Sequence, residues 1–433
     1  MNRVLILAFF TCISMSTFAQ VMSLKDAIAT MLQNNFNILI VQVDQKKAAQ
    51  SATRGNAGFW PTLELNAGYI ISTTAIDQRF SNGLEINRSG VNATNFLGNV
   101  AINWVLFDGG RIQLEYNRLK QLDVIARNQL RESIQNQVAL LIKNYNQIVF
   151  LNEQIKSIQT GLELAETKLE IADMRLKIGS GGLQDVLQSR VDVNALKANK
   201  LQQIIALKAA KTSLNNLLGR SGEIAFEVER NSDLPNIPSL EELLESHKKK
   251  NPLLVQLEET KKLNSLLVKQ AKADWYPQLN ALATYNFTRN NSNAGFALFN
   301  QSIGPNAGLQ LNWNLFSGKQ VQTRIKNAQF DTDQAGYRYL SAWLTQSSAI
   351  LRIYQTYAAQ KEILDLSRQS MKWAEENLQL ATQSFTIGVT NIIVVKEAQR
   401  SYSEAVNQWV IAENQYLETV TDLLTLAGLI YEQ

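Results

Sequence analysis

Trp60 to Ile71 reads Trp-Pro-Thr-Leu-Glu-Leu-Asn-Ala-Gly-Tyr-Ile-Ile. Leu63, Leu65, Ala67, Tyr69 and Ile71 fall on one face and Thr62, Glu64, Asn66 and Gly68 on the other, the period of two that a strand with one apolar side requires. Three more stretches repeat it. Val100, Ile102, Trp104 and Leu106 oppose Asn99, Ala101 and Asn103. Leu279, Ala281, Ala283, Tyr285 and Phe287 oppose Gln278, Asn280 and Thr284, with Leu282 as an exception on the polar side. Ala307, Leu309, Leu311, Trp313 and Leu315 oppose Asn306, Gly308, Gln310 and Asn312. Four strands of about 10 residues, with aromatics toward their ends, fit an outer-membrane barrel. An ordinary half-buried soluble sheet shows the same alternation. The barrel is favoured by two features: an export leader, and loops of Asn, Ser, Gly and Thr (72–98 and 290–304) longer than soluble hairpins use. The smallest single-chain membrane barrels need about 8 strands, and an open edge in lipid leaves backbone groups unpaired. Other copies of the chain must complete the barrel, and cyclic symmetry allows two, three or more of them.

The leader is residues 1–19. Arg3, the apolar run from Val4 through Ile13, and Ser16-Thr17-Phe18-Ala19 form a secretory signal peptide with cleavage expected after Ala19. The stretch is too short for a spanning anchor. Cys12, the one cysteine, lies inside it and not at the cleavage point. Neither a lipidated N-terminal cysteine nor a disulfide is expected. One histidine and one cysteine in 433 residues exclude His, Cys and mixed metal or catalytic clusters. No enzyme, metal or cofactor is expected. After the leader, no window approaches the roughly 20 apolar residues of a spanning helix, which excludes a polytopic helical membrane protein. Without Arg3, 41 basic residues face 38 acidic ones, and basic clusters interleaved with aromatics are missing, so no nucleic-acid binding is expected. The run His247 to Lys250, near Glu241, Glu242 and Glu245, reads as the solvated face of a helix.

The chain is a repeat. Ser23-Leu24 with Asn35 recurs as Ser239-Leu240 with Asn251, and Trp60-Pro61 as Tyr276-Pro277, at an offset of 216. Trp104-Val105-Leu106-Phe107-Asp108-Gly109 pairs with Trp313-Asn314-Leu315-Phe316-Ser317-Gly318 at an offset of 209, as does Ile178-Gly179 with Ile387-Gly388. The first repeat spans 20–219 and the second 239–433, with a linker over 220–238 that holds Pro235, Pro238 and a short strand expected at 223–228. Each repeat predicts a helical segment (22–59; 239–274), a strand pair (60–107; 276–316), a very long helix (110–177; 319–386), a tip turn (179–182; 388–391) and a last helix (183–218; 391–427). Only six prolines occur, none between 62 and 234, which suits long uninterrupted helices.

Those helices carry a seam. Ile148, Leu151, Ile155, Ile158, Leu162, Ala165, Leu169, Ala172 and Leu176 alternate in steps of three and four, the a/d pattern of a left-handed coiled coil. Leu364, Ser367, Met371, Ala374, Leu378, Ala381 and Phe385 hold the matching positions. A helix over 110–177 extends about 100 Å, as a solid stalk or as the wall of a hollow tube; the seam is consistent with either.

Over essentially the whole mature chain these residues resemble the outer-membrane efflux proteins of the TolC type. The most specific elements are 57–69 (AGFWPTLELNAGY) with 273–285 (ADWYPQLNALATY), and 104–111 (WVLFDGGR) with 313–319. They place Pro61, Trp104, Phe107, Gly109, Pro277, Trp313, Phe316 and Gly318 at the strand–helix junctions. The resemblance implies an α+β membrane protein: a homotrimer whose four strands per chain form a 12-stranded β-barrel, continued by a long periplasmic α-helical coiled-coil barrel. It also implies a tip held shut by polar links and acidic rings, since carboxylates in a narrow mouth repel anions and attract cations. Carried over by position, the link acid of the first repeat is Asp185. In the second repeat Val394 replaces one acid and Glu397 keeps the other, while Thr390 stands where the family has a base and Phe385 where it has a hydroxylated aromatic. An Asp–Arg lock of the usual kind is not expected here. Asp185 and Glu397 read equally well as solvated helix charges.

The resemblance implies an exit duct that passively conducts substrates from an inner-membrane transporter, through a periplasmic adaptor (membrane fusion) protein docking on the tip turns at Gly179, Gly181 and Gly182 and at Gly388 and Asn391, across the outer membrane lipid. The alternative is an exported coiled-coil scaffold or adhesin with soluble sheets. The run Gly179-Ser180-Gly181-Gly182 lacks the strand–loop–helix setting of a phosphate loop and reads as a tip turn.

Overall fold

The computed structural model describes residues 20–230, 237–294, 297–387, 389–390 and 392–430. The leader, Pro235, Gly388 and Asn391 lie outside them. In chain order the elements are β1 (Gln20–Met22), α1 (Leu24–Asn34), α2 (Phe36–Ser51), β2 (Thr62–Arg79), β3 (Glu85–Phe107), α3 (Arg111–Lys177), α4 (Leu183–Leu217) and β4 (Phe226–Val228). Then follow α5 (Leu240–Lys250), α6 (Pro252–Ala273), β5 (Gln278–Ser292), β6 (Phe299–Asn312), α7 (Gln320–Thr386) and α8 (Ile392–Ala427). Two compact units interleave along the chain: the described residues of 20–42, 130–254 and 343–430 form one, and those of 43–129 with 255–342 form the other.

In the first unit the apolar core gathers Met31, Leu141, Tyr145, Ile148, Leu214, Leu218 and Phe226 with Tyr416, Val420 and Leu424. Each such side chain contributes about 1.5–3 kcal/mol by leaving water. The short strand expected at 223–228 is present as β4, which pairs in parallel with β1, Gln20 opposite Phe226. Tyr145 ties α3 to that pair: its hydroxyl lies 2.9 Å from the Met22 carbonyl and 2.7 Å from that of Glu229.

The helical segments expected over 22–59 and 239–274 are each two helices, broken at Asn35 and Asn251. Asn35 ends α1 with its N–H on the Met31 carbonyl, accepts the Ile38 N–H on its side chain, and donates to the Leu217 carbonyl at 2.7 Å. Asn251 does the same with Leu254 and with Leu426, at 2.9 Å. One asparagine thus ends a helix with its backbone N–H, caps the next with its side-chain oxygen and anchors a third with its side-chain NH2, which a continuous helix would forbid. Pro252 then opens α6, where its missing N–H costs nothing.

His247 is not on a solvated face. It is fully buried, with Nδ1 2.8 Å from the Leu426 carbonyl, while Lys248, Lys249 and Lys250 are exposed.

In the second unit β2, β3, β5 and β6 form one antiparallel sheet in that order. The strands are longer than the alternation suggested, at 18, 23, 15 and 14 residues. The stretches 72–98 and 290–304 are therefore not long loops. β2 and β3 meet in a tight turn closed by Phe80 N–H to Leu84 O at 2.8 Å, and polar rungs such as Thr73–Asn92 at 2.7 Å continue the ladder where apolar residues run out. Backbone pairing does not need an apolar pattern, so the pattern underestimates it. β6 ends at Asn312, leaving Trp313 and Leu315 beyond it. The apolar face is bare: Leu65 is 76 % exposed and Leu309 70 %. A half-buried soluble sheet would cover these side chains, whereas lipid or other copies of the chain would have to cover them here.

Candidate functional site

The first tip follows from three glycines. α3 ends in a Schellman turn: Gly179 takes φ +74°, its N–H reaches the Leu176 carbonyl at 3.1 Å, and the Ser180 N–H reaches that of Arg175 at 2.9 Å. An L side chain at Gly179 would be strained in that left-handed conformation. A Cβ on Gly181 would stand 2.8 Å from the Arg175 Cβ. Gly182 is the N-cap of α4, and Asp185 lies in its first turn, where a carboxylate suits the helix dipole. Behind the turn, α3 and α4 zip together through Leu162, Ala165 and Val193, and α7 and α8 through Ala381, Val395 and Ala398. The seams expected from the heptads therefore lie inside each hairpin.

At the second tip the Val389 and Thr390 N–H groups both point to the Ser384 carbonyl, at 2.8 and 3.3 Å. Thr390 is half-buried, and Glu397 is exposed on α8. Phe385 lies within α7. Asp185 is exposed and lines a cavity of about 310 Å³ together with Lys168, Arg175, Asp192 and Lys396. Other side chains join the two hairpins within the chain.

Sequence reasoning passed over them. Lys396 of α8 reaches Asp192 of α4 at 3.7 Å. Gln399 donates to the Gly161 carbonyl of α3 at 3.3 Å, and Gln154 of α3 to Asn407 of α8 at 3.0 Å. Burial, and then the neighbouring Lys396 ammonium, push the Lys168 amine below its ordinary value, while Asp192 pulls it back. The signal was present as a Lys immediately before Glu397, but nothing in spacing pairs it with Asp192.

At the strand–helix junctions, Trp104 donates its indole N–H to the Phe59 carbonyl and Trp313 to the Trp275 carbonyl, both at 3.1 Å. Pro61 and Pro277 directly precede β2 and β5, and Phe107 closes β3. Gly109, at φ +70°, admits Tyr276 so closely that a Cβ would fall 2.7 Å from the Tyr276 Cβ. Gly318 is left-handed too, and Phe316 is 83 % exposed. Asp274, only 12 % exposed, is held by Arg111 and by Arg324, the latter at 2.9 Å. Among the described residues no helix is long and apolar enough to cross a membrane, and no group of His, Cys, Asp and Glu could hold a metal ion.

The sequence model of a family described as outer membrane efflux protein matches residues 27–220 and 243–429. The proteases secretion protein PrtF of Dickeya chrysanthemi is 20 % identical over 427 residues, which cover 96 % of this chain and 90 % of the relative. Among solved structures, the CmeC outer membrane channel of Campylobacter jejuni superposes with a TM-score of 0.77 at 15 % identity, over 94 % of this chain and 85 % of that one. The outer membrane protein VceC of Vibrio cholerae superposes with a TM-score of 0.72 at 16 % identity, over 94 % and 96 %.

Proposed function

The chain belongs to the outer membrane efflux protein family, and from that premise we infer that it is the outer-membrane exit duct of a tripartite efflux or secretion system. Three copies supply four strands each to one barrel, and their helices form the periplasmic tube. The observation that carries this reading is the bare apolar face of an open four-stranded sheet, which in water alone would be a liability. The duct performs no chemistry; it conducts what is delivered to it.

An inner-membrane transporter hands cargo over through a periplasmic adaptor seated on the tip turns, around Gly179, Gly181 and Gly182 in one hairpin and Gly388 and Asn391 in the other. Asp185 and Glu397 give the tip its negative potential, with Phe385 and Thr390 beside it. Between copies, two exposed helix stripes meet. α8 touches α3, which leaves α4 and α7 as the outer helices. α7 presents Leu366, Trp373 and Leu380 in steps of seven, and α4 presents Leu187, Val191, Leu201 and Ile205 on one three–four stripe.

Planar-bilayer recording tests this. The purified protein is expected to conduct, with three copies per channel by native mass spectrometry, and Glu397→Ala is expected to lower its cation selectivity. A water-soluble monomer without conductance would overturn the duct; unchanged selectivity would remove Glu397 from the constriction.

A further inference from the structure

The two hairpins of the sheet are the same hairpin written twice, down to register. Thr62 pairs with Asn103 in the first. Moved by 216 on one strand and 209 on the other, that pair becomes Gln278 with Asn312, which is the pair observed in the second. β3 nevertheless runs on through Phe107 while β6 stops at Asn312. The difference lies in the neighbours. Beyond Asn103, β3 has no partner in β2 and is held by β5 alone, Trp104 opposite Ala281, Val105 opposite Asn280 and Phe107 opposite Leu279. β6 has β5 on one side and an open edge on the other, so Trp313 to Phe316 have nothing to pair with.

We propose that β6 pairs with β2 of a second copy in the register that the repeat dictates, and that Trp313–Phe316 become strand only in that pairing. The proposal rests on the trimeric duct reading. Carrying the β3–β5 register forward by the same offsets sets Gln310 opposite Gly68 of the second copy. Leu309 then faces Tyr69, Asn312 faces Asn66, Asn314 faces Glu64, and the bulge after Val105 is reproduced so that Phe316 faces Leu63. The alternation provides an independent check, because Ala307, Leu309, Leu311 and Trp313 then meet Ile71, Tyr69, Ala67 and Leu65. A slip of one residue would set apolar against polar all along the seam. The direction agrees as well, since strands alternate up and down through the sheet and the next must be antiparallel to β6. Pro305 has no N–H to donate and removes at most one bond from this ladder.

Cysteine pairs read the register directly. In the full chain with Cys12→Ser, Gln310→Cys with Gly68→Cys is expected to give covalent dimers and closed trimers on non-reducing denaturing gels after oxidation in the outer membrane. Asn314→Cys with Glu64→Cys is expected to do the same, which places 314 in a strand. Gln310→Cys with Asn66→Cys or with Ile70→Cys is expected to give no link. A two-residue slip adds about 7 Å along the strand to the roughly 5 Å between strands, a separation of about 8 Å, past the roughly 7 Å between Cα atoms that a disulfide spans. Cross-linking of a slipped pair instead, or parental trimers that neither matched pair links, would overturn the register and leave the duct standing. A parental protein that is monomeric by native mass spectrometry in detergent would overturn the duct reading and the register with it.

Discussion

His247 directs Nδ1 at the Leu426 carbonyl, which fixes Nδ1–H as the donor, and its Nε2 is buried without a partner. Burial pushes its pKa below the usual 6.5, because charging the ring there would strand an imidazolium away from water. The sign follows. Below 6.5 the unfolded chain takes a proton that the folded chain declines, so stability falls as pH drops from 6.5 toward the folded pKa and is complete above 6.5. It is the chain's single histidine; Glu132, which burial pushes above its ordinary value, slopes the opposite way and is common to parent and variant. His247→Gln keeps a donor for Leu426 but cannot titrate. Between pH 6.5 and 5 the thermal midpoint of the parent is expected to drop relative to that of the variant; equal slopes would refute the assignment. The buried position was legible in the sequence, since Leu240, Leu243, Leu244 and His247 share the i, i+3, i+4 stripe of α5. Grouping His247 with the lysines after it hid that, because a run of charge says nothing about which way each residue points.

The long helices and their seams were readable because a coiled coil repeats its signal over many turns. The helix breaks at Asn35 and Asn251 were not, since each depends on a carbonyl at the end of a helix some 180 residues away in sequence. The same holds for the link between hairpins, where Lys168 of α3, Asp192 of α4 and Lys396 of α8 meet. Asp192 pairs with Lys396 and attracts the Lys168 ammonium as well. Asp192→Asn is expected to cost about 1 kcal/mol, the scale of a partly exposed pair, and to leave two ammoniums facing each other. Adding Lys168→Gln to that variant is expected to restore much of the loss, a coupling that thermal unfolding of the four proteins of a double-mutant cycle would read. The pH dependence has a definite sign. The folded state holds the Lys168 proton less tightly than the unfolded state at 10.5, so its penalty is full below the lowered pKa and is relieved as pH rises toward 10.5. Additive single effects would show that the three charges do not act together.

A chain whose sheet is bare on its apolar face and whose α4 and α7 carry exposed apolar stripes is not finished as a monomer. The sequence announced this through four strands that could not close a barrel, although the strands alone did not choose the number of copies; three is what the family resemblance implies. The helical part of assembly is separable from the barrel seam. Leu380 is 63 % exposed on α7, and Gln379 beside it is exposed as well. Leu380→Glu replaces an apolar knob, in each of three interfaces, with a charge that must lose its water. Burying a leucine is worth about 2 kcal/mol, so the loss recurs three times around the ring and the trimer is expected to dissociate at a protein concentration that leaves the parent intact. Gln379→Glu adds the same charge one position away, off the stripe, and is expected to remain trimeric. Light scattering of the detergent-solubilised proteins on dilution separates the two. Leu380→Glu trimers as persistent as those of the parent would mean that α7 faces water along this stripe, and that the strand seam holds the copies together without it.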